Sequence, residues 1–146
     1  MFEVDARLNS LEWYGYGPQE CYVDRMGGSR LGRYRADVKD QLTPYLRPQE
    51  AGSHVGVRWA NVTDNAGHGL RFECLEGMEF SALAHSPDEI ENALHHYELP
   101  PIFRTVIRPA MMRRGVGGDD SWGAMTHDEF RIPKGRAKFQ FAFRGV

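Results

Sequence analysis

Alternation of apolar and polar residues dominates this chain and predicts β-strands. In KFQFAF, Phe139, Phe141 and Phe143 fall on one face, and polar or small residues fall on the other. GLRFECL continues the pattern, and VGVRWANV, RTVIR and EFSALA are further strand segments. A period of two indicates strands with one buried face. The sequence therefore predicts a mainly β fold, antiparallel and two-layered.

One segment departs from the alternation and predicts a short helix near 87–97. In SPDEIENALHHY, Ser86 is placed to cap the helix, Pro87 occupies its first turn and Glu89 completes a capping box. Apolar residues then recur at helical spacing over about three turns, until a Pro-Pro pair ends the pattern. The turn-rich TDNAGHG, between two strand segments, predicts a hairpin.

The first half of the chain is less regular. WYGYGPQECYVDR and TPYLRPQEAG combine glycine, proline and large aromatic residues. This composition predicts ordered loops between short strands, and such loops often have a packing or binding role. Arginines cluster from Arg25 to Arg35, close to Glu20 and Asp24. We expect arginine–carboxylate pairs to brace this loop.

Composition narrows the class of protein. A length of 146 residues suits one domain or part of one, so residues 1–146 are taken as a single domain or domain fragment. The net charge of −2 does not indicate a nucleic-acid partner, and no apolar run is long enough to span a membrane. Cys21 and Cys74 are expected to be free thiols.

The N-terminus and the scattered metal-binding residue types lead to two further expectations. Met1–Asp5 lacks the basic start and apolar centre of a secretory signal, so localisation stays open with the cytoplasm favoured. Patterned sequence begins almost at once, which suggests a fragment whose upstream part is missing. The histidines and cysteines lack the paired spacing of a zinc site, so we expect no metal or cofactor in this chain.

The segment GVGGDDSWG, from Gly115 to Gly123, holds the clearest candidate chemistry. Its four glycines disfavour a helix and weaken a strand, which leaves a loop. Asp119 and Asp120 are adjacent, whereas glycoside hydrolysis uses carboxylates about 5–9.5 Å apart across the scissile bond. We expect them to brace the loop, one by accepting backbone N–H groups and the other by pairing with an arginine.

Trp122 ends this loop and has two interpretations. An indole is flat and rigid, so its face could lie against the C–H face of a sugar while its N–H finds a partner. Alternatively, Trp122 packs into its own domain, as expected for Trp13 and Trp59. The residues alone leave both interpretations open.

Four segments together resemble one family: WYGYGPQECYVDR, TPYLRPQEAG, FSALAHSPDEIENALHHYEL and GVGGDDSWG. They occur in the order found in the C-terminal, or small-chain, domain of glycoside hydrolase family 2 β-galactosidases. The resemblance extends from about Leu11 to Phe143. It implies an antiparallel β-sandwich of the galactose mutarotase-like supersandwich type, of which this chain would form the C-terminal portion. The chain departs from the family at Ala51, which puts a polar contact from that position in doubt.

The resemblance also implies where the chemistry lies. The parent enzyme hydrolyses terminal non-reducing β-D-galactosyl residues with retention, and its catalytic carboxylates lie on a TIM barrel with magnesium and often sodium. This chain would then contain no catalytic residue and would be inactive alone. It would pack on the barrel and help to position the substrate. Trp122 matches the tryptophan that stacks on the sugar or aglycone, and Gly117, Gly118, Asp119 and Asp120 match the loop that presents it.

The expected partners follow from the same resemblance. They are a β-galactoside such as lactose, the barrel and the other domains of the parent chain. Half a sandwich would leave strand edges and apolar surface exposed, so we also expect a homo-oligomer. No nucleic acid and no membrane is expected. Two alternatives stay open: a stand-alone carbohydrate-binding or mutarotase-like module, and a scaffold domain used only for assembly.

Overall fold

The computed structural model describes residues 1–120 and 122–146, so Ser121 lies outside the described residues. Within them, the chain forms seven strands, one α-helix and three 3₁₀ turns. The strands are β1 (Phe2–Asp5), β2 (Ser10–Gly17), β3 (Arg30–Asp37), β4 (His54–Thr63), β5 (Gly69–Leu83), β6 (Arg104–Ala110) and β7 (Ala142–Gly145). The helix is α1 (Pro87–Asn92), and the 3₁₀ turns are Val38–Asp40, His96–Glu98 and Asp128–Phe130.

All seven strands belong to one antiparallel sheet in the order β1-β6-β5-β4-β2-β3, with β7 also pairing with β5. The predicted class is confirmed: a mainly antiparallel β domain with a single short helix in the described residues, consistent with a sandwich-like fold. Strand β5 is the longest, at 15 residues, and joins two predicted strands, GLRFECL and EFSALA, into one. Its first half pairs with β7 and its second half pairs with β6.

The predicted hairpin is confirmed between β4 and β5. Asp64 Oδ1 accepts the N–H groups of Ala66 at 2.8 Å and His68 at 3.0 Å, which closes the turn. Aspartate is suited to this position because its short side chain can bond backbone two or more residues ahead. The register then places Ala60 opposite Phe72 and Val62 opposite Leu70.

Alternation separates the two faces of the sheet. On the apolar face, Leu11, Val62 and Phe72 are completely buried, and Phe139 and Phe141 pack against the same cluster. The strand predicted from KFQFAF is shorter than expected, because β7 covers only Ala142–Gly145. The preceding residues still direct their rings inward: the ring centroids of Phe72 and Phe141 lie 6.3 Å apart.

The opposite face carries polar and aromatic side chains. Arg71 Nε donates to Glu73 Oε1 at 2.6 Å, and the Arg71 guanidinium lies 4.6 Å from the centre of the Trp59 ring. Arg33 pairs with Glu12 at 2.6 Å on the neighbouring strands. These groups are partly exposed, so each pair contributes little to stability. The face is polar because its strands alternate, as the sequence predicts.

One prediction is wrong in the first half. The stretch WYGYG was expected to be a loop, but it is the second half of β2, paired with β3 on one side and continuing past β4 on the other. A Cβ on Gly15 would lie 2.8 Å from Val57 Cγ2, and one on Gly17 would lie 2.9 Å from the Tyr34 ring. The glycines therefore allow large neighbours to pack closely over the strand.

The helix is present but shorter than predicted. The capping box is confirmed, since Ser86 Oγ accepts the Glu89 N–H at 3.2 Å and Glu89 accepts the Ser86 N–H at 2.8 Å. Helical geometry stops at Asn92, and His96–Glu98 form a 3₁₀ turn. Ile90 is buried, but Leu94 is 54% exposed. The second half has little apolar surface to bury, and tertiary burial is what stabilises a short helix.

Cys21 and Cys74 are both free, as predicted, and both are buried. In the part of the chain that the structure describes, no helix has the length and apolar character needed to cross a membrane.

Candidate functional site

A loop described at residues 115–120 and 122–124, here called the glycine loop, is the candidate site. It follows β6 and carries Trp122 on its outer side, where the side chain is 93% exposed. By contrast, Trp13 in β2 is 1% exposed. Trp122 therefore does not pack against the rest of the described chain. The interpretation that it packs into its own domain, like Trp13, does not hold for these residues. An exposed indole of this size offers a flat apolar face to a ligand or a partner.

The base of the glycine loop is closed by hydrogen bonds. Gly115 N–H donates to the carbonyl of Phe130 at 2.8 Å, and Thr126 Oγ1 donates to the carbonyl of Gly115 at 2.9 Å. Thr126 is 5% exposed, so this closure is buried. A Cβ on Gly118 would overlap the carbonyl oxygen of Ala124. Glycine at 118 is therefore needed for the two sides of the loop to approach each other.

The two adjacent aspartates have different partners. Asp120 Oδ1 accepts the N–H groups of Trp122 at 2.8 Å and Ala124 at 3.1 Å. These backbone hydrogen bonds lower the pKa of Asp120. Asp119 Oδ1 lies 2.7 Å from His127 Nε2, and this hydrogen bond raises the pKa of His127. Asp119 thus contacts a histidine rather than an arginine.

An ion network lies just before the loop, with Glu79 buried and Glu50 partly exposed. Arg113 is held on both sides: its backbone N–H and guanidinium face Glu79, at 3.0 and 3.7 Å, and its Nη1 lies 2.5 Å from Glu50. Arg108 also contacts Glu50, at 3.2 Å. Burial raises the pKa of Glu79 and lowers the pKa of Arg113. Removing either partner would leave the other charge buried, so the network holds the start of the loop in one place.

A second cluster fixes the loops in the first half of the chain. Glu20 accepts hydrogen bonds from the Tyr45 hydroxyl and from Arg25, the latter at 2.6 Å, which confirms the predicted arginine–carboxylate brace. Its other oxygen accepts the Gly52 N–H at 2.9 Å. Burial disfavours the charged form of Glu20, but these hydrogen bonds outweigh it and lower its pKa. Ala51, where the sequence left a polar contact in doubt, is completely buried beside this cluster.

A cavity of about 630 Å³ opens between these clusters. Its wall is mixed, with aromatic, acidic, basic and aliphatic side chains, and includes Tyr22, Tyr45, Glu50, Arg113, Val116 and Ile132. The size lies within the range of small-molecule sites, which is about 300–1,000 Å³. Gly115 also lines the cavity, so the cavity borders the base of the glycine loop.

Several residues that shape this site were not predicted from the sequence. Asp24 Oδ2 accepts the N–H of Gly117 at 2.7 Å, although the two residues are 93 positions apart. Glu79 lies in an alternating strand, where charged positions usually face solvent. The two PQE repeats were the available signal, since Glu20 and Glu50 end them and both tie loops together.

Among residues 1–120 and 122–146, no three histidine, cysteine, aspartate or glutamate side chains gather as metal ligands. The carboxylates of Glu20, Glu50, Glu79 and Asp120 are already engaged by arginine or backbone N–H groups.

Comparison with known proteins identifies the class to which this fold and loop belong. The family model described as "Beta galactosidase small chain" matches residues 1–144. The chain belongs to this family of β-galactosidase small-chain domains.

The chain is similar to several proteins named β-galactosidase and to one named β-galactosidase small subunit. A β-galactosidase of Priestia megaterium is 43% identical over 137 residues, which cover 94% of this chain and 13% of the relative. A β-galactosidase of Streptococcus thermophilus is 46% identical over 132 residues, or 90% of this chain and 13% of the relative. The β-galactosidase small subunit of Latilactobacillus sakei is 40% identical over 124 residues, or 77% of this chain and 39% of that subunit. The chain thus spans about an eighth of the length of the first two relatives.

Proposed function

We propose that this chain is a C-terminal portion of a glycoside hydrolase family 2 β-galactosidase. The parent enzyme would hydrolyse terminal non-reducing β-D-galactosyl residues, as in lactose, by a retaining mechanism with two carboxylates. Family membership over residues 1–144 supports this proposal, together with relatives named β-galactosidase that are about eight times longer. The catalytic carboxylates, magnesium and sodium would all lie in the TIM barrel of the parent.

The role proposed for this chain is to position substrate and to pack on the barrel. The observation that carries it is the placement of Trp122, which is 93% exposed on a loop whose base is closed by buried hydrogen bonds. Covering an exposed indole removes apolar surface from water, which is favourable, and a pyranose C–H face is a suitable partner. The Trp122 ring would be held in a fixed position by the loop residues Gly117, Gly118, Asp119 and Asp120.

The acidic residues of the loop support a structural role rather than catalysis. A general acid needs a pKa near the working pH, whereas backbone hydrogen bonds lower the pKa of Asp120. Asp119 is paired with His127. The isolated chain is therefore proposed to be inactive, and purified chain should release no nitrophenol from nitrophenyl β-galactoside.

The assembly and location of the chain are part of the proposal. Large side chains such as Leu46 and Phe103 are exposed, at 97% and 60%, and apolar surface of this kind favours association. We expect the purified chain to form a dimer or higher oligomer, and light scattering that gives a uniform monomer would contradict this. The unpaired thiols of Cys21 and Cys74 suit a reducing compartment, which favours the cytoplasm.

The proposed role of Trp122 can be tested in the full-length enzyme that contains this chain. Trp122→Ala should raise the KM for lactose several-fold, because the stacking surface is lost, and should leave kcat on nitrophenyl β-galactoside nearly unchanged. Tyr97→Ala is a matched control, since Tyr97 is another aromatic residue with 82% exposure. An unchanged KM for lactose in Trp122→Ala would rule out the stacking role.

A second candidate function is a stand-alone carbohydrate-binding or mutarotase-like module. The cavity of about 630 Å³ favours it, because its charged and apolar wall could hold a hexose. This function predicts saturable binding of galactose or lactose by the isolated chain. Calorimetry with millimolar sugar separates the two candidates, since the leading proposal expects little heat of binding without the barrel.

A further inference from the structure

The attachment of the glycine loop to the rest of the fold depends on few groups. Most of its hydrogen bonds are local, such as Gly115 to Phe130 and Asp120 to Trp122. Among the described residues, Asp24 provides the side-chain hydrogen bond that ties residues 115–124 to the first half of the chain. Its acceptor oxygen lies 2.7 Å from the Gly117 nitrogen.

The carboxylate of Asp24 fits into a space that glycine creates. A Cβ on Gly115 would overlap Asp24 Oδ2, whereas one on Gly117 would lie at an ordinary 3.5 Å. A Cβ on Gly115 would also lie 2.8 Å from Thr126 Cγ2. Gly115 is therefore required for the carboxylate to approach the loop backbone, and Gly117 supplies the N–H that it binds.

Asp24 is presented by a turn that is itself fixed. Arg25 N–H donates to the carbonyl of Tyr22 at 2.8 Å, which closes the turn around Asp24. The Arg25 side chain is anchored on Glu20, and Cys21 N–H donates to the carbonyl of Ser53 at 2.7 Å. The position of the Asp24 carboxylate is thus set by the body of the domain and not by the loop.

The environment of the other Asp24 oxygen indicates that Asp24 places the glycine loop rather than stabilising the whole domain. Asp24 Oδ1 is buried and has no hydrogen-bond partner among the described residues. A buried carboxylate oxygen without a partner costs free energy, which offsets the gain from the bond to Gly117. Replacing this carboxylate should therefore change the loop more than the stability of the whole domain.

We infer that Asp24 is a positioning residue, which couples the fixed turn at Tyr22–Arg25 to the glycine loop and so sets the position of Trp122. The coupling itself is a property of this chain. Its effect on substrate rests on the proposed function, in which Trp122 contacts the sugar.

Amide hydrogen exchange in the ¹⁵N-labelled chain tests the coupling without any sugar. In the wild-type chain, the Gly117 amide should exchange about tenfold more slowly than a free amide, because a hydrogen bond to a carboxylate protects it. Asp24→Ala should remove this protection, and Asp24→Asn should keep most of it, since its side-chain oxygen can still accept. Asp40→Ala is the control, because Asp40 is an exposed aspartate far along the chain from the loop.

The Phe72 amide, in the part of β5 that lies between β4 and β7, reports whether each variant is folded. Loss of Gly117 protection with Phe72 protection retained is the expected result. Two results of the exchange experiment would overturn the inference: an unprotected Gly117 amide in the wild type, or simultaneous loss of both protections in Asp24→Ala, which would assign Asp24 to global stability.

A kinetic measurement in the full-length enzyme separates this inference from the proposed function. Asp24→Ala should raise the KM for lactose as Trp122→Ala does, with kcat on nitrophenyl β-galactoside unchanged and with rescue by Asp24→Asn. If both Ala variants leave the KM for lactose unchanged while Gly117 loses protection, the proposed function fails and the positioning contact stands. If only Trp122→Ala raises KM, Asp24 does not position the ring and the inference fails.

Discussion

The central sheet and the glycine loop are built by different forces. In β2, β4 and β5, Leu11, Val62 and Phe72 have no exposed surface, and burial of apolar area holds them in place. In the loop, Asp120 and Thr126 hold the backbone through directed hydrogen bonds, and the largest side chain is left in solvent. The difference shows that a segment can be well defined without a core of its own, provided that polar side chains satisfy its backbone.

The largest test of this difference removes core volume from the sheet. Phe72→Ala should lower the free energy of unfolding by about 3–5 kcal/mol, because it leaves a cavity in a closely packed site. Leu75→Ala, a substitution in the same strand at a residue with 94% exposure, should change it by less than about 0.5 kcal/mol. Trp122→Ala should behave like the Leu75 control in urea unfolding. A loss of several kcal/mol in Trp122→Ala would mean that the loop has a core after all.

The next test breaks the connection between the two regions. Arg113→Ala should lower the free energy of unfolding by about 3 kcal/mol, because Glu79 would keep a buried charge without its partner. Arg114→Ala, at the exposed neighbouring position, should be close to neutral. Equal unfolding midpoints for the two variants would show that the buried network does not anchor the loop.

The same pair predicts a dependence on pH. Burial raises the pKa of Glu79 in the folded state, so between its unfolded and folded pKa values the native state binds more protons and stability falls as pH rises. Losing Arg113 should raise that pKa further. The loss in free energy of unfolding caused by Arg113→Ala should therefore be smaller near pH 5 than near pH 7. A loss that grows on acidification would contradict the pairing of Arg113 with Glu79.

The last predictions concern two histidines whose pKa values are shifted in opposite directions, and the smallest expected effect is that of the exposed His127. Burial lowers the pKa of His54 to about 4, whereas Asp119 raises the pKa of His127. The contribution of His54 to stability is present above its unfolded pKa and is lost as pH falls toward 4. The contribution of His127 to stability is present below its unfolded pKa and is lost as the pH rises through its folded-state pKa.

Imidazole resonances followed by NMR over pH measure both directions. Asp119→Asn should return the pKa of His127 toward the ordinary value of about 6.5 and leave His54 unchanged. Asp128→Asn is the matched control, since Asp128 is also exposed, lies beside His127 in the sequence and pairs with Arg131 instead. A His127 pKa that is the same in wild type and Asp119→Asn would show that the pair does not form.

The sequence predicts those parts of the fold that local pattern determines. The β4–β5 hairpin follows from alternation and from a turn-rich segment that contains Asp64, and the start of α1 follows from Ser86 and Glu89. WYGYG was misassigned because glycine normally weakens a strand, and only the neighbouring Val57 and Tyr34 explain why it is required. The helix was overestimated because spacing shows which residues could share a face but not whether another surface covers that face.

The candidate site divides in the same way. The glycine loop and Trp122 are recognisable in the sequence, since four glycines around two aspartates and a tryptophan are unusual. Asp24 and Glu79 were not recognisable, because their partners lie 93 and 34 residues away. Both contacts depend on how strands and loops assemble, and neither a spacing rule nor a residue type signals them in advance.

The bond between Asp24 and Gly117 has a consequence for protein engineering. A designer who transplants residues 115–124 onto another scaffold would carry over the local turn of Asp120 but not the acceptor for Gly117. The transplanted segment would keep its local hydrogen bonds but would lose the contact that fixes its orientation relative to the scaffold. A working graft needs both pieces: the glycine segment, and a carboxylate on the recipient held 2.7 Å from the nitrogen that corresponds to Gly117.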